Sequence, residues 1–150
     1  MADVEVTETV KAAPLRLYEL VSDLPRMGEW SPENTGGKWV GDAAGPALGA
    51  KFRGTNRHGL AVWMTSVTIT GADPGRRFAF DVDVLGVPIS TWEYTFADAA
   101  DGCVVTERWT DRRPGWMRVT SIATGVRDRN AHNRRGMQET LTKLKAAAES

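Results

Sequence analysis

The residues able to do chemistry are few and scattered. Glu107 stands in Val105-Thr106-Glu107-Arg108-Trp109, where strand alternation sets its carboxyl on the same side as Val105 and Trp109. A carboxyl among such neighbours loses hydration, which raises its pKa toward neutrality and suits it to general acid or base work. A buried pair with an arginine, a tryptophan N–H or a ligand group is the role expected first at this position, with catalysis the alternative. Glu33, directly after Pro32, can reach a cavity mouth or accept backbone N–H bonds in the Asn34-Thr35-Gly36 turn, and the turn role is expected. Thr65 and Tyr94 bring hydroxyls to strand positions, where they either orient a ligand or simply satisfy strand propensity.

The chain has 2 histidines. His58 falls in the turn Arg57-His58-Gly59 and is expected in solvent, and His132 falls in the basic run RDRNAHNRR, Arg127 to Arg135. Neither has a carboxylate or a second histidine at ligand spacing, so no metal site and no cofactor are expected. Arginines at a helix start oppose the helix dipole, so the run needs a carboxylate such as Asp128 or one across a cavity mouth. Four arginines can touch phosphate, but a solvated rim with local ion pairs is the simpler reading. No aromatic interleaves with them, which removes a stacking platform for single-stranded nucleic acid. Phosphate loops, dinucleotide fingerprints and Ser/His/Asp arrangements are missing.

Charge points the same way: 19 basic and 19 acidic residues cancel, so no net field steers the chain to nucleic acid or an anionic membrane. The single Cys103 reads as structural. With no cationic-then-apolar leader and no apolar run near the roughly 18 residues of a membrane span, a cytoplasmic protein without integral membrane association is expected, a monomer or weak homodimer.

The elements that must position these groups follow from periodicity. Val4, Val6 and Val10 alternate with Glu5, Thr7 and Thr9 as a half-buried strand, with Glu8 the exception that a bulge or an exposed strand end would accommodate. Pro14 opens a helix with Leu15, Tyr18, Leu20 and Val21 on its apolar side, and Asp23-Leu24-Pro25 ends it. A short second helix runs from about Pro25 to Trp30. From Lys38 to Thr110 turn residues recur, giving an antiparallel meander. Met137, Leu141, Leu144 and Ala148 form the stripe of a closing helix of roughly 18 residues.

Register arithmetic then assigns faces. Setting Ala100 opposite Cys103 brings Trp92, Tyr94, Phe96, Val105, Glu107 and Trp109 onto one face. Setting Gly54 opposite Trp63 adds Phe52, Thr65, Val67 and Ile69, and a six-residue loop from Gly71 to Arg76 continues that face through Phe78, Phe80 and Val82. The Leu85-Gly86-Val87 connection needs an odd loop or a bulge near Pro88 to stay in phase. Lys51, Arg53, Asp81, Asp83, Glu93, Thr106 and Arg108 fall on the opposite face. One helix, roughly 10 Å across, is too narrow to fill a curved sheet of this width, and a cavity is expected between them.

These residues resemble a known family. The order strand, two short helices, six strands and long helix, with Trp30-Ser31-Pro32-Glu33, Gly36-Gly37-Lys38-Trp39, Asp73-Pro74-Gly75-Arg76, Trp92-Glu93-Tyr94 and Thr106-Glu107, is similar to the SRPBCC (START-related) superfamily, in particular its actinobacterial polyketide cyclase/dehydrase and lipid-transport branch. The resemblance implies an α+β helix-grip fold over 1–150 as one ligand-binding domain: a curved seven-stranded antiparallel sheet wrapped around a long C-terminal helix, two short helices between the first two strands, and an internal hydrophobic cavity.

The function expected is binding or transport of a hydrophobic lipid-, polyketide- or aromatic-like molecule. The alternative is a cyclase/dehydratase using Glu107 as general acid or base, and a third class is a protein-interaction module of the chaperone-activator kind. The residues expected at the ligand are Trp30, Phe52, Trp63, Thr65, Phe80, Trp92, Tyr94, Trp109, Trp116, Asn133 and Met137. Trp116 and Met117, in the Asp111 to Met117 segment, are expected to form a lid, and Trp39 to pack the end of the sheet.

Overall fold

A computed structural model describes residues 2–116 and 128–150; Met117 and Arg127 lie outside them. The order is β1 (Val4–Val10), α1 (Pro14–Ser22), a 3-10 helix (Leu24–Glu29), β2 (Asn34–Trp39), β3 (Lys51–His58), β4 (Ala61–Asp73), β5 (Arg77–Val84), β6 (Val87–Ala99), β7 (Gly102–Asp111) and α2 (Arg129–Glu149). The strands form one 7-stranded antiparallel sheet, β1-β7-β6-β5-β4-β3-β2. β7 crosses back to pair with β1, so the meander is closed on one side by the N-terminal strand.

Two hairpin registers differ from the expected ones by two residues. Ala99 rather than Ala100 starts the last turn, so Tyr94 faces Glu107 and Trp92 faces Trp109. In β3–β4, His58 pairs with Ala61, which sets Gly54 against Thr65 and Asn56 against Trp63. The turns are Ala100-Asp101 and Gly59-Leu60, one residue earlier and one later than composition indicates. A slip of two leaves every side chain on its face, because the strand period is two. The expected aromatic face therefore survives both errors.

The β4–β5 loop is shorter than expected, with Asp73 pairing Arg77 and a bulge between Ile69 and Gly71 restoring phase. A bulge between Val82 and Asp83 does the same for β5–β6, as the Pro88 region required. The tight turn there has Leu85 and Gly86 both at positive φ, 51° and 80°, a twist that suits a two-residue hairpin. β2 begins at Asn34 rather than Lys38, so Trp39 closes it and Gly36-Gly37 lie inside the strand. A side chain at Gly37 would run into the Arg53 carbonyl, so only glycine lets β2 pair this closely. Glu8 needs no bulge: β1 pairs β7 without interruption and the carboxylate meets Lys145 of α2 at 3.4 Å.

Proline at the first turn starts α1, whose Leu17, Leu20 and Val21 are buried, whereas Leu15 is half exposed. Tyr18 sets its ring edge-on to Phe78 and Phe96, with centroids 6.1 and 6.2 Å away. α2, 21 residues long, starts at Asp128, whose carboxylate caps it by accepting from Ala131 N at 3.1 Å. It packs on β1, β7 and α1. Leu141 and Leu144, in its second half, join the core with α1, while Met137 forms a smaller cluster with Val4 and Trp109. The main core thus occupies one end of the grip. On the outer face, Arg108 bridges Glu5 at 2.6 Å and Glu93 at 3.3 Å, and Arg77 holds Glu93 at 2.6 Å.

Candidate functional site

Between the first half of α2 and the concave face lies a cavity of about 230 Å³. α2 packs on the β1–β7 side and α1 on one end of β5 and β6, which leaves the cavity between them and the rest of the concave face. Trp63 and Thr65 of β4, Phe80 of β5, Trp92 and Tyr94 of β6, Glu107 and Trp109 of β7, and Asn133 and Met137 of α2 line it. The other three residues expected at the ligand are elsewhere. Phe52 is buried in the core, its ring 5.2 Å from Trp39. Trp30 caps the 3-10 helix and belongs to the same core as Leu24 and Met27, with Arg26 stacked 5.3 Å from its ring centroid. Trp116 is 64% exposed and does not line the cavity, which the segment reaches through Arg113 instead. Polar Arg113 was invisible to a search for apolar lid residues. It lies under the rim because Asp111 accepts two bonds from its guanidinium, at 2.9 and 2.8 Å.

The two ends of the cavity differ in chemistry. At the buried end Glu107 is 1% exposed, and Tyr94 donates its hydroxyl to Oε2 at 2.7 Å. Oε1 has no partner among the described residues. Burial pushes the Glu107 carboxyl up to about 8, against a smaller downward pull from the Tyr94 bond. The same burial, with Glu107 beside it, holds the Tyr94 phenol well above its ordinary value. At neutral pH Glu107 is therefore mainly a carboxylic acid, able to donate one hydrogen bond into the cavity.

At the more open end, Glu33 departs from its expected turn role. Asn34 Oδ1 accepts from Gly36 N at 2.6 Å and serves the turn, which frees the Glu33 carboxylate to meet α2. Arg129 Nη1 donates to its Oε1 at 2.8 Å, and His132 Nε2 lies 3.2 Å from its Oε2. This is the carboxylate across a cavity mouth that a basic helix start requires. Burial lowers the His132 pKa, opposed by Glu33 and assisted by Arg129 and His58. His58 ends β3 half-buried, its ring 4.8 Å from that of His132. Sequence reasoning placed His58 in solvent and left both histidines without ligand-spaced partners. Seventy-four positions separate them (132 − 58), and only the curl of the sheet toward the α2 N-terminus brings them together.

The sequence profile of the polyketide cyclase / dehydrase and lipid transport family matches residues 1–149. The chain belongs to that family. Among solved structures, a polyketide-cyclase-like protein from Corynebacterium glutamicum is 28% identical with a TM-score of 0.66, the match covering 98% of this chain and 91% of that one. A protein of Chromobacterium violaceum shares the fold at 16% identity and TM-score 0.71, over 98% and 96% of the two chains. The di-domain ARO/CYC BexL from the BE-7585A biosynthetic pathway aligns with a TM-score of 0.74 at 16% identity, covering 98% of this chain and 50% of that one. No curated protein matches the chain significantly. The helix grip of this polyketide cyclase/dehydrase family member is thus shared by all three, and no helix among the described residues is long and apolar enough to cross a membrane.

Proposed function

We propose that the protein binds and carries a hydrophobic small molecule, lipid-, polyketide- or aromatic-like, in the cavity between α2 and the sheet. The carrying observation is one largely apolar cavity, walled by three indoles, with the buried Glu107 carboxyl, hydrogen-bonded to Tyr94, at its closed end. Tryptophan faces offer broad contact to flat or acyl groups, and one donor fixes the orientation of a carbonyl or hydroxyl. Size narrows the occupant: about 230 Å³ falls just below the roughly 300–1,000 Å³ of drug-sized pockets. A one- or two-ring compound, a short acyl chain or a short folded polyketide fits. We place this activity in the cytoplasm, in a chain acting as one domain and as a monomer or weak dimer.

Gentle extraction followed by native mass spectrometry tests the reading. The expected spectrum contains the chain plus one small apolar molecule, or gains one on incubation with 2-naphthol. A spectrum with neither contradicts it.

The pairing of Glu107 with Tyr94 favours a second reading, a cyclase/dehydratase. In its ionised fraction Glu107 takes a proton from a carbon next to one carbonyl, the resulting carbanion adds to a second carbonyl, and Glu107 returns that proton to the new alkoxide; it then takes the remaining proton from the same carbon and passes it to the hydroxyl, which leaves as water. Unchanged turnover of a polyketide substrate by Glu107→Gln would eliminate this assignment.

A further inference from the structure

The cavity reading uses Glu107 and Tyr94 and leaves the cluster at the open end without a role. Glu33 from the connection into β2, His58 from the end of β3 and His132 from the first turn of α2 each offer one ligand atom, and these atoms all lie within 4.8 Å of one another. All three residues are half-buried, so their side chains are held by the fold and not splayed in solvent. The His132 imidazole bonds Glu33, but the His58 ring forms no hydrogen bond among the described residues and meets His132 edge to face at 79°. Two imidazoles converging on one carboxylate oxygen make a donor set that zinc-class ions favour.

We propose that Glu33, His58 and His132 bind one divalent ion of the zinc class at the rim of the cavity. Donor atoms around a tetrahedral ion with bonds of about 2.0–2.1 Å sit roughly 3.3 Å apart. The Glu33–His132 pair already has that spacing at 3.2 Å, and His58, within 4.8 Å of both, has to approach by at most about 1.5 Å to reach the roughly 3.3 Å spacing. Arg129 holds the far oxygen of Glu33 at 2.8 Å, which fixes the carboxylate with Oε2 toward the histidines in the way outer partners orient metal ligands. Its charge also repels the ion, so the site binds more weakly than a structural zinc site. Glu33 and His132 line the cavity, so the remaining coordination position faces a bound molecule. The ion would take a carbonyl, carboxylate or hydroxyl oxygen there. Metal binding itself does not depend on what else the cavity holds.

The test uses the full chain, stripped with chelator and titrated with Co²⁺ by visible absorption and with Zn²⁺ by calorimetry. Wild type is expected to bind one ion per chain, with d–d bands of a four- or five-coordinate cobalt and a Tm that rises on adding Zn²⁺. His58→Ala and His132→Ala, checked for folding by circular dichroism, are expected to weaken binding by at least about tenfold. His58 donates to no neighbour among the described residues, so its variant keeps the test open should His132→Ala fail to fold. Absence of cobalt bands and of a zinc-dependent Tm in wild type overturns the proposal. So does binding of equal strength in His58→Ala, which would mark adventitious surface association.

Discussion

Glu107 is the residue on which the account turns, and alternation alone located it. What alternation could not supply was its partner, because a register two residues out faces Glu107 with Phe96 instead of Tyr94. The hydroxyl at 2.7 Å, and the orphaned second oxygen, appear only once the hairpin is closed correctly. The raised carboxyl has a consequence for stability. Below the ordinary glutamate value of 4.5 both folded and unfolded chains hold the proton; between there and about 8 the unfolded chain releases it while the folded chain keeps it. Stability therefore falls as pH rises through that window and levels off above it, by at most about 1.4 kcal/mol per pH unit from this group. Glu107→Gln keeps the shape and never titrates, so its stability relative to wild type should grow between about pH 5 and about pH 8 in urea unfolding. A difference that stays flat over this range would show that the carboxyl is ionised in the folded protein. Trp30 marks the opposite failure: a tryptophan beside a short helix looks like a ligand wall, but a 3-10 turn carries it into the core, and nothing in its neighbours distinguishes the two.

At the scale of elements, period and turn residues placed β1, β3 to β7 and the closing helix, because half-buried strands must alternate and α2 must bury one stripe; β2, read as a turn up to Gly36, begins at Asn34. Loop geometry was less legible. Whether Ala99 or Ala100 starts a turn depends on pairing energies spread along two strands, and Asp-Gly and His-Gly mark a turn only to within a residue. The bulge before Pro88 was readable since a face cannot stay in phase without it. The β2–β3 ladder supplies a prediction: Gly37 holds φ at 152° against the Arg53 carbonyl, a place that an added Cβ cannot share. Gly37→Ala should cost at least about 2 kcal/mol, by the strain expected of such a backbone and the contact together. Thermal unfolding measures it, and a Tm within a degree of wild type would mean that β2 does not pair this way.

The whole molecule divides its interior between a packed core at one end and a cavity at the other. Leaving about 230 Å³ of side-chain volume unfilled forgoes at most several kcal/mol at about 24 cal/mol per Å³, an upper bound because the open end admits water, and small proteins hold only about 5–15 kcal/mol in total. A fold that sustains such a void among three tryptophans sustains it against that cost, which is the physical case for a ligand. A space under one narrow helix on a wide sheet was expected from the sequence, and one of about 230 Å³ lies there; its polar rim was not legible, because Glu33, His58, Arg129 and His132 meet only through tertiary closure. Filling the void is the most direct test. Met137, 1% exposed on α2, projects where a larger side chain would occupy ligand space. Calorimetric titration with 2-naphthol should give one saturable site per chain in wild type and at least about tenfold weaker binding in a folded Met137→Trp variant. No saturable binding to wild type, or equal binding to both proteins, would contradict the account.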